Sequence, residues 1–469
     1  MKPGIDAPAA GLFGPTALFG LLDAIVEAAG ADEAEASALV ECERYSRFAH
    51  ERLHQTLDRE NVTVTLRLIH DGRLGKVQAQ PDLPPQEIVR MARAAAVGPP
   101  LPSGFHFAGV EDGGVEVHAP VPPFFYPATA ELTPLAKAGD IASAVTLAEE
   151  RGARMYGSVH STLYELALAT SRGRRAYVPL SEAGWNLVST WRSLSGLGFR
   201  LSRDVGRLDP EEIARESLDR SSPGALLGRE PGQTVRLTED RLPVVLCGYA
   251  LAEAVSFLNH LGFDGRSAVD GASPLDSHAG DSLGSRRVQI YDDAPGADGL
   301  PIPFDQEGMP KRQVSLIAGG APQCVLHDLR SAVESGATST GHAHVSRLPF
   351  ASPVAANLRL EPGDATEEAL VAGIAHGVYV TSFHYVRLVD PQAGVITGMT
   401  RHGTYQIEDG RITRPMGNVR FTESVYEMLR NAEEIGQRLY AQPMLNVFNS
   451  CILAPSARLS SFKFDLVDA

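Results

Sequence analysis

From Arg287 onward the chain is dominated by short runs rich in β-branched and aromatic residues, separated by Gly, Asp and Pro. The segments Val288–Tyr291, Val314–Ile317, Cys324–His327, Tyr379–Leu388, Val395–His402, Thr404–Glu408 and Arg411–Ile412 read as strands, because such residues favour a pleated, half-buried surface. Helices are expected only at 366–376 and 422–438. A domain built this way must pair its strands with one another, and the spacing predicts a largely antiparallel sheet.

The first half is mixed. A helical opening over about 15–43 leads into Arg47–Ala79, where the alternating segment Val62–Ile69 and Leu74–Ala79 flank an Asp71–Gly72 turn. Pro84–Pro85 start a helix with Ile88, Met91, Ala92 and Ala95 on one face. A Pro-rich crossing runs from Pro99 to Pro127. Helix 133–152 follows, then strands near Met155–His160, Leu163–Ala169 and Ala176–Pro179. Asp209-Pro210-Glu211-Glu212 is a helix start, with Asp as N-cap and Pro at the first helical position. After a boundary at Arg229–Gly232, strands are expected at Val235–Leu237 and Pro243–Cys247, and a helix with Leu251, Ala254, Val255, Leu258 and Leu261 on one stripe. The fold class is therefore α+β. Residues 1–229 form an N-terminal α/β region, in subregions 1–98 and 128–225, and 230–469 form a strand-rich C-terminal domain.

The 469 residues carry 57 acidic and 42 basic side chains, a net charge of −15. Nucleic acid and anionic membranes call for a dense cationic face, and no basic stripe exists here. Cys42, Cys247, Cys324 and Cys451 form no C-x-x-C pair, so a disulfide scaffold is not expected and a cytoplasmic location is. Asp23 and Glu27 interrupt the apolar N-terminal stretch, which reads as an amphipathic helix rather than a signal peptide.

Local motifs carry little chemistry. Gly280-Asp281-Ser282-Leu283-Gly284 matches G-x-S-x-G, but turn-rich sequence precedes it and a strand follows, the inverse of a nucleophile elbow. His342-Ala343-His344 lacks a nearby third ligand and reads as surface or hydrogen-bonded histidines. Asp292–Asp293 and Asp305–Glu307 border Gly and Pro and read as turn-forming acids. His384, Tyr385, Arg401 and His402 lie in a strand pair rich in polar side chains, which could line a substrate groove or form an ordinary solvated face.

Several segments in a fixed order resemble the TldD/PmbA (TldD/TldE) family, modulators of gyrase and peptide processing. Arg47–Gln55 (RFAHERLHQ) is similar to the family's N-terminal RFANNRIHQ stretch. Pro303–Gly308 with Pro310 is similar to its PFDxEGxP turn. Ser339–His342, Glu361–Asp364, Thr397–Arg401 with Gly403, Ile407–Ile412 and Asn418–Thr422 are further shared segments.

The resemblance implies a metallopeptidase-related fold and a division of labour between subunits. TldD-type chains hold zinc with an H-E-x-x-x-H helix and a C-terminal cysteine; TldE/PmbA-type chains lack the ligands and pair with a TldD-type chain. Gly262-Phe263-Asp264-Gly265 resembles the Gly-Leu-Glu-Gly after the catalytic histidine. This alignment places Ser256, Phe257 and Leu261 at the motif positions, and Asn449 at the cysteine. The implied function is a metal-free TldE-like subunit of a heteromeric bacterial hydrolase. It would shape a chamber for a peptide or peptide-like natural-product intermediate, with no cofactor of its own and zinc in the partner. Two alternatives are a self-sufficient, metal-independent hydrolase using Cys451 with His384 or His402, and a binding protein with no peptidase role.

Overall fold

The computed structural model describes residues 12–113, 122–221, 234–278, 280–293, 296, 298–344, 352–444 and 447–466. The expected boundary at Arg229–Gly232 and part of the Pro-rich crossing lie outside them.

Six strands form an antiparallel N-terminal sheet: β1 (Glu33–Ala49), β2 (Arg52–His70), β3 (Arg73–Ala79), β4 (Arg154–Thr170), β5 (Arg175–Trp191) and β6 (Leu194–Ser202), in the order β3-β2-β1-β4-β5-β6. Side-chain alternation decides what each face meets. Ala34, Ala36, Ala38 and Val40 of β1 share a face with Leu163 and Ala167 of β4, and Trp185 and Leu187 of β5. Helices Pro15–Ala29, Pro85–Ala94, Pro134–Glu150 and Pro210–Ser221 cover that face. On the opposite face Leu166, Ala176, Val178 and Leu180 pack against Ile302 and Phe304 of the second half.

The C-terminal strands are β7 (Arg241–Leu246), β8 (Ile290–Asp292), β9 (Val314–Ala318), β10 (Ala321–Pro322), β11 (Ala343–His344), β12 (Ser352–Pro353), β13 (Asn357–Leu360), β14 (His376–Asp390), β15 (Val395–Glu408), β16 (Arg411–Pro415), β17 (Arg420–Ser424), β18 (Ala432–Gln442) and β19 (Cys451–Asp465). Apart from the β11–β12 pair they form one sheet. Its pairing β19-β17-β15-β14-β7 returns to β19, so the sheet closes on itself around the apolar core. It is largely antiparallel, with parallel pairs at β13–β19 and β14–β7.

The structure corrects several expected elements. The opening helix stops at Ala29 because Gly30 takes φ +68°, and 33–49 is a strand whose alternating burial fits its place between β2 and β4. The expected helix 422–438 is β17, one short helix (Val425–Arg430) and β18; Asn431 caps the helix and Ala432 begins pairing with β19. The expected helix 366–376 shortens to Glu367–Ala372, and β14 starts at His376. Cys324–His327 forms no strand, and Val235 makes only an isolated bridge to Met416. Asp292 is no turn former: it lies fully buried in β8. No helix among the described residues is long and apolar enough to cross a membrane.

Candidate functional site

β7 runs directly into helix Gly248–Ser256, which ends in a 3-10 turn over Phe257–His260. Gly248 permits the close approach: a Cβ there would lie 2.2 Å from the Tyr440 ring and 2.5 Å from Ala454 O. The helix stripe foreseen from spacing is buried, with Leu251, Ala254, Val255, Leu258 and Leu261 all in the core. The positions aligned to the zinc motif sit at its C-terminal end. Ser256 Oγ donates to Glu253 O at 2.6 Å, and half-buried Phe257 faces the His260 ring at 6.0 Å. Leu261 is 3% exposed. Asn259 ties this turn to Ala355 through a 3.0 Å donation and a 2.9 Å acceptance.

Asn449 is elsewhere occupied. It takes φ +51°, accepts from the Arg203 guanidinium and donates to Leu300 O at 3.3 Å. Zinc requires converging imidazole, thiolate or carboxylate donors. Ser256, Phe257, Leu261 and Asn449 do not supply them, and among the described residues no group of three His, Cys, Asp or Glu side chains could hold a metal ion.

The four candidate groove residues divide. Arg401 Nη1 lies 2.6 Å from His384 Nε2, and Tyr385, 71% exposed, packs its ring 4.3 Å from that of His384. His402 instead turns toward the N-terminal sheet, its Nδ1 3.2 Å from Ser195 Oγ of β6. Burial, helped by the Arg401 charge, pushes the His402 imidazole down to about 4. A depressed base stabilises the fold above its unfolded value near 6.5, and that contribution is lost as pH falls toward 4. Denaturant midpoints of His402→Gln should accordingly fall less steeply than wild type between pH 6.5 and 4; equal slopes would refute the assignment.

Cys451 is fully buried among Leu201, Leu300 and Leu453, and burial pushes its thiol up to about 12. A reactive cysteine needs the opposite environment. No hydrogen bond among the described residues joins it to His384 or His402. Ser282 of the G-x-S-x-G match donates to the carbonyls of Gly284 and Gly320 and, among the described residues, has no histidine partner.

His342 is buried rather than on the surface, with Nδ1 3.0 Å from Thr340 Oγ1, and His344 Nε2 accepts from Phe448 N at 3.1 Å. Asp305 does form a turn, accepting from Glu307 N and Met309 N at 2.9 Å. Glu307 instead reaches Arg67 across the seam between the halves.

A cleft of about 790 Å³ was not foreseen from sequence. Helix Pro210–Ser221 forms one wall, and residues 365–371, β16 and β18 form the other. Glu216 is its hub, bonded to Arg200 and Arg220, to Arg438 at 3.0 Å and to Tyr249 Oη at 2.9 Å. Against the cost of burial, Arg220 and Arg200 hold the Glu216 carboxyl down at about 2. Opposite, Glu367 accepts from Tyr379 Oη, Tyr440 Oη (2.8 Å) and Ser456 Oγ (3.3 Å). Walls bearing both signs of charge suit a polar ligand with hydrogen-bonding groups of both kinds. The signal in the sequence was the Glu216/Arg220 spacing of four on one helix, which cannot show what faces it.

Comparisons with known proteins place these features. Residues 239–465 match the PmbA/TldA metallopeptidase C-terminal domain. The chain is 26% identical over 243 residues to a protein of Methanothermobacter thermautotrophicus described as a metalloprotease, covering 51% of this chain and 50% of that one. It is 27% identical over 164 residues to a Synechocystis metalloprotease, covering 34% of each. The matches thus span half or less of these curated relatives. The fold is similar to the crystal structure of TldE from Thermococcus kodakarensis, with TM-score 0.81, 20% identity, and coverage of 95% of this chain and 100% of that one.

Proposed function

Because the chain belongs to the TldD/PmbA family, we propose that it is a TldE-like subunit of a heteromeric TldD/TldE-type metalloprotease or amidase, with zinc carried by a TldD-type partner. One observation carries this reading: the segment aligned to H-E-x-x-x-H runs from the last residue of helix Gly248–Ser256 through the 3-10 turn to core residue Leu261, and its three key positions are Ser256, Phe257 and Leu261. The helix has kept its place in the core without the donors that zinc chemistry needs. Its own contribution would be to shape the substrate chamber. The cleft beside Glu216 and Glu367, with both signs of charge, supports a peptide or peptide-like amide, such as a natural-product intermediate, as substrate, and the cysteine-poor composition is consistent with a reducing cytoplasm.

Co-expression with a chain bearing an intact H-E-x-x-x-H motif tests the proposal. The two should co-elute on size exclusion, with about one zinc per pair and none on this chain alone. Ser256→Ala should leave turnover of the complex within about twofold of wild type, because among the described residues its hydroxyl bonds only to its own helix. Stoichiometric zinc on this chain alone, or a hundredfold fall in turnover for Ser256→Ala with assembly intact, would overturn the reading.

A further inference from the structure

The cleft between helix Pro210–Ser221 and the second half holds one carboxylate that its neighbours orient but do not neutralise. On the helix side Glu216 is paired with arginines, Glu212 lies 2.8 Å from Arg438, and Asp219 pairs with Arg151 at 2.5 Å. Glu367 lines the other wall and forms no ion pair among the described residues. Its partners there are hydroxyls. Tyr379 Oη donates to Oε1, while Tyr440 Oη (2.8 Å) and Ser456 Oγ (3.3 Å) donate to Oε2. The three donors are 1%, 1% and 3% exposed, so the carboxylate is fixed by groups that the core holds in place. Burial raises both phenols well above their usual range, so they stay protonated and donate.

Hydroxyls supply hydrogen bonds but no positive charge. A carboxylate has about four lone-pair sites, and the three donors fill both on Oε2 and one on Oε1. The remaining site on Oε1 belongs to a residue lining a cleft of about 790 Å³, a volume that suits a small organic ligand. Glu368, next in sequence, lines the same cleft and adds a second negative charge. Chemistry narrows the ligand further. A metal ion calls for several converging side-chain ligands, and no group of three exists among the described residues. A guanidinium binds both carboxylate oxygens through its planar fork, but Oε2 already accepts twice. An ammonium needs only one oxygen of Glu367 and can give its other protons to phenol oxygens or water.

We propose that Glu367, held by Tyr379, Tyr440 and Ser456, is the binding site for a primary ammonium group on the ligand of this cleft. That the ammonium belongs to a peptide rests on the functional reading above. Its source is a free N-terminus or a lysine side chain, and the test separates the two.

Calorimetry on this chain alone would compare three probes: trialanine amide with a free N-terminus, N-acetyl-Ala-Lys-Ala amide, and N-acetyl-trialanine amide, which has no cation. At least one cationic probe should bind at least about tenfold more tightly than the neutral one, the effect of one charge-assisted hydrogen bond. Glu367→Gln should reduce its affinity to that of the neutral probe. In a co-crystal the ammonium nitrogen should lie about 2.7–3.1 Å from Glu367 Oε1. Equal affinity for all three probes, no binding of any at up to about 10 mM, or an ammonium seated elsewhere would overturn the proposal. So would unchanged affinity in a folded Glu367→Gln. If that variant does not fold, the wild-type affinities and the co-crystal decide. These readouts need no partner and no turnover: their failure would leave assembly with a zinc-bearing chain standing, and failure of that assembly would leave the ammonium site standing.

Discussion

Replacing Arg67 with Met is expected to destabilise the fold by about 3–5 kcal/mol, the usual cost of removing one member of a buried ion pair. Arg67 is 1% exposed and reaches three ways. Its Nε and Nη2 hold both oxygens of Glu35 at 2.7 and 2.8 Å, and its Nη1 holds Glu307 at 3.0 Å. Without it, two buried carboxylates face each other. Burial already raises the Glu307 carboxyl, with Arg67 opposing and the Glu35 charge reinforcing the rise. In the variant the Glu307 carboxyl should titrate further above its unfolded value near 4.3, so the native state binds more protons than the unfolded chain, and stability falls as pH rises through that window. The loss should accordingly be smaller at pH 5 than at pH 8, and adding Glu35→Gln with Glu307→Gln should recover part of it. Denaturant unfolding at the two pH values measures this. A cost under about 1 kcal/mol at pH 8 would mean that the carboxylates find other partners.

The second large effect concerns the motif helix. Changing Ser256, Phe257 and Leu261 together to His, Glu and His restores the ligand letters but should yield a less stable protein without stoichiometric zinc. Leu261 is 3% exposed in the main core of the second half. An imidazole there becomes a buried polar group with no partner, at roughly 1–3 kcal/mol before any metal arrives. Zinc also needs a fourth ligand and supporting hydrogen bonds to each imidazole. The residue aligned with the family cysteine, Asn449, is bound instead to Arg203 and Leu300 O. Thermal unfolding and elemental analysis provide the readouts. A variant that bound one zinc per chain without loss of stability would show that the site needs only its ligands, and that the rest of the chain is still organised for metal.

Local signals read from the sequence held where one element decides its own shape. The hairpin across Asp71–Gly72 forms as expected, with Gly72 at φ +70° and β2 pairing β3 from His70 opposite Arg73. Asp209 caps its helix, accepting from Glu211 N and Glu212 N at 2.9 and 3.1 Å. The same reasoning failed at 33–43 and 432–438, because alanine- and glutamate-rich stretches favour helix in isolation and become strands only when neighbours on both sides offer hydrogen bonds. Cys451–Asp465, the strand around which the second sheet closes, was not singled out at all. Its partners β7, β13, β17 and β18 are drawn from across the second half, and nothing local announces them.

The site follows the same division. Residue identity alone establishes that Ser256, Phe257 and Leu261 cannot supply zinc ligands, since hydroxyl, phenyl and isobutyl groups lack the donors in any fold. Ordered family segments along the chain were also legible, because they are properties of the string. Only the tertiary structure decided that Glu216 and Arg220 line one cleft with Tyr440, that Arg67 binds Glu35, 32 residues away, and Glu307, 240 residues away, and that Lys311 and His342 come within 3.8 and 3.3 Å of buried Asp292. Those contacts depend on which faces of distant elements are buried together. A buried charge takes its partner from whatever the packing brings within about 3 Å, and sequence spacing carries no record of that distance.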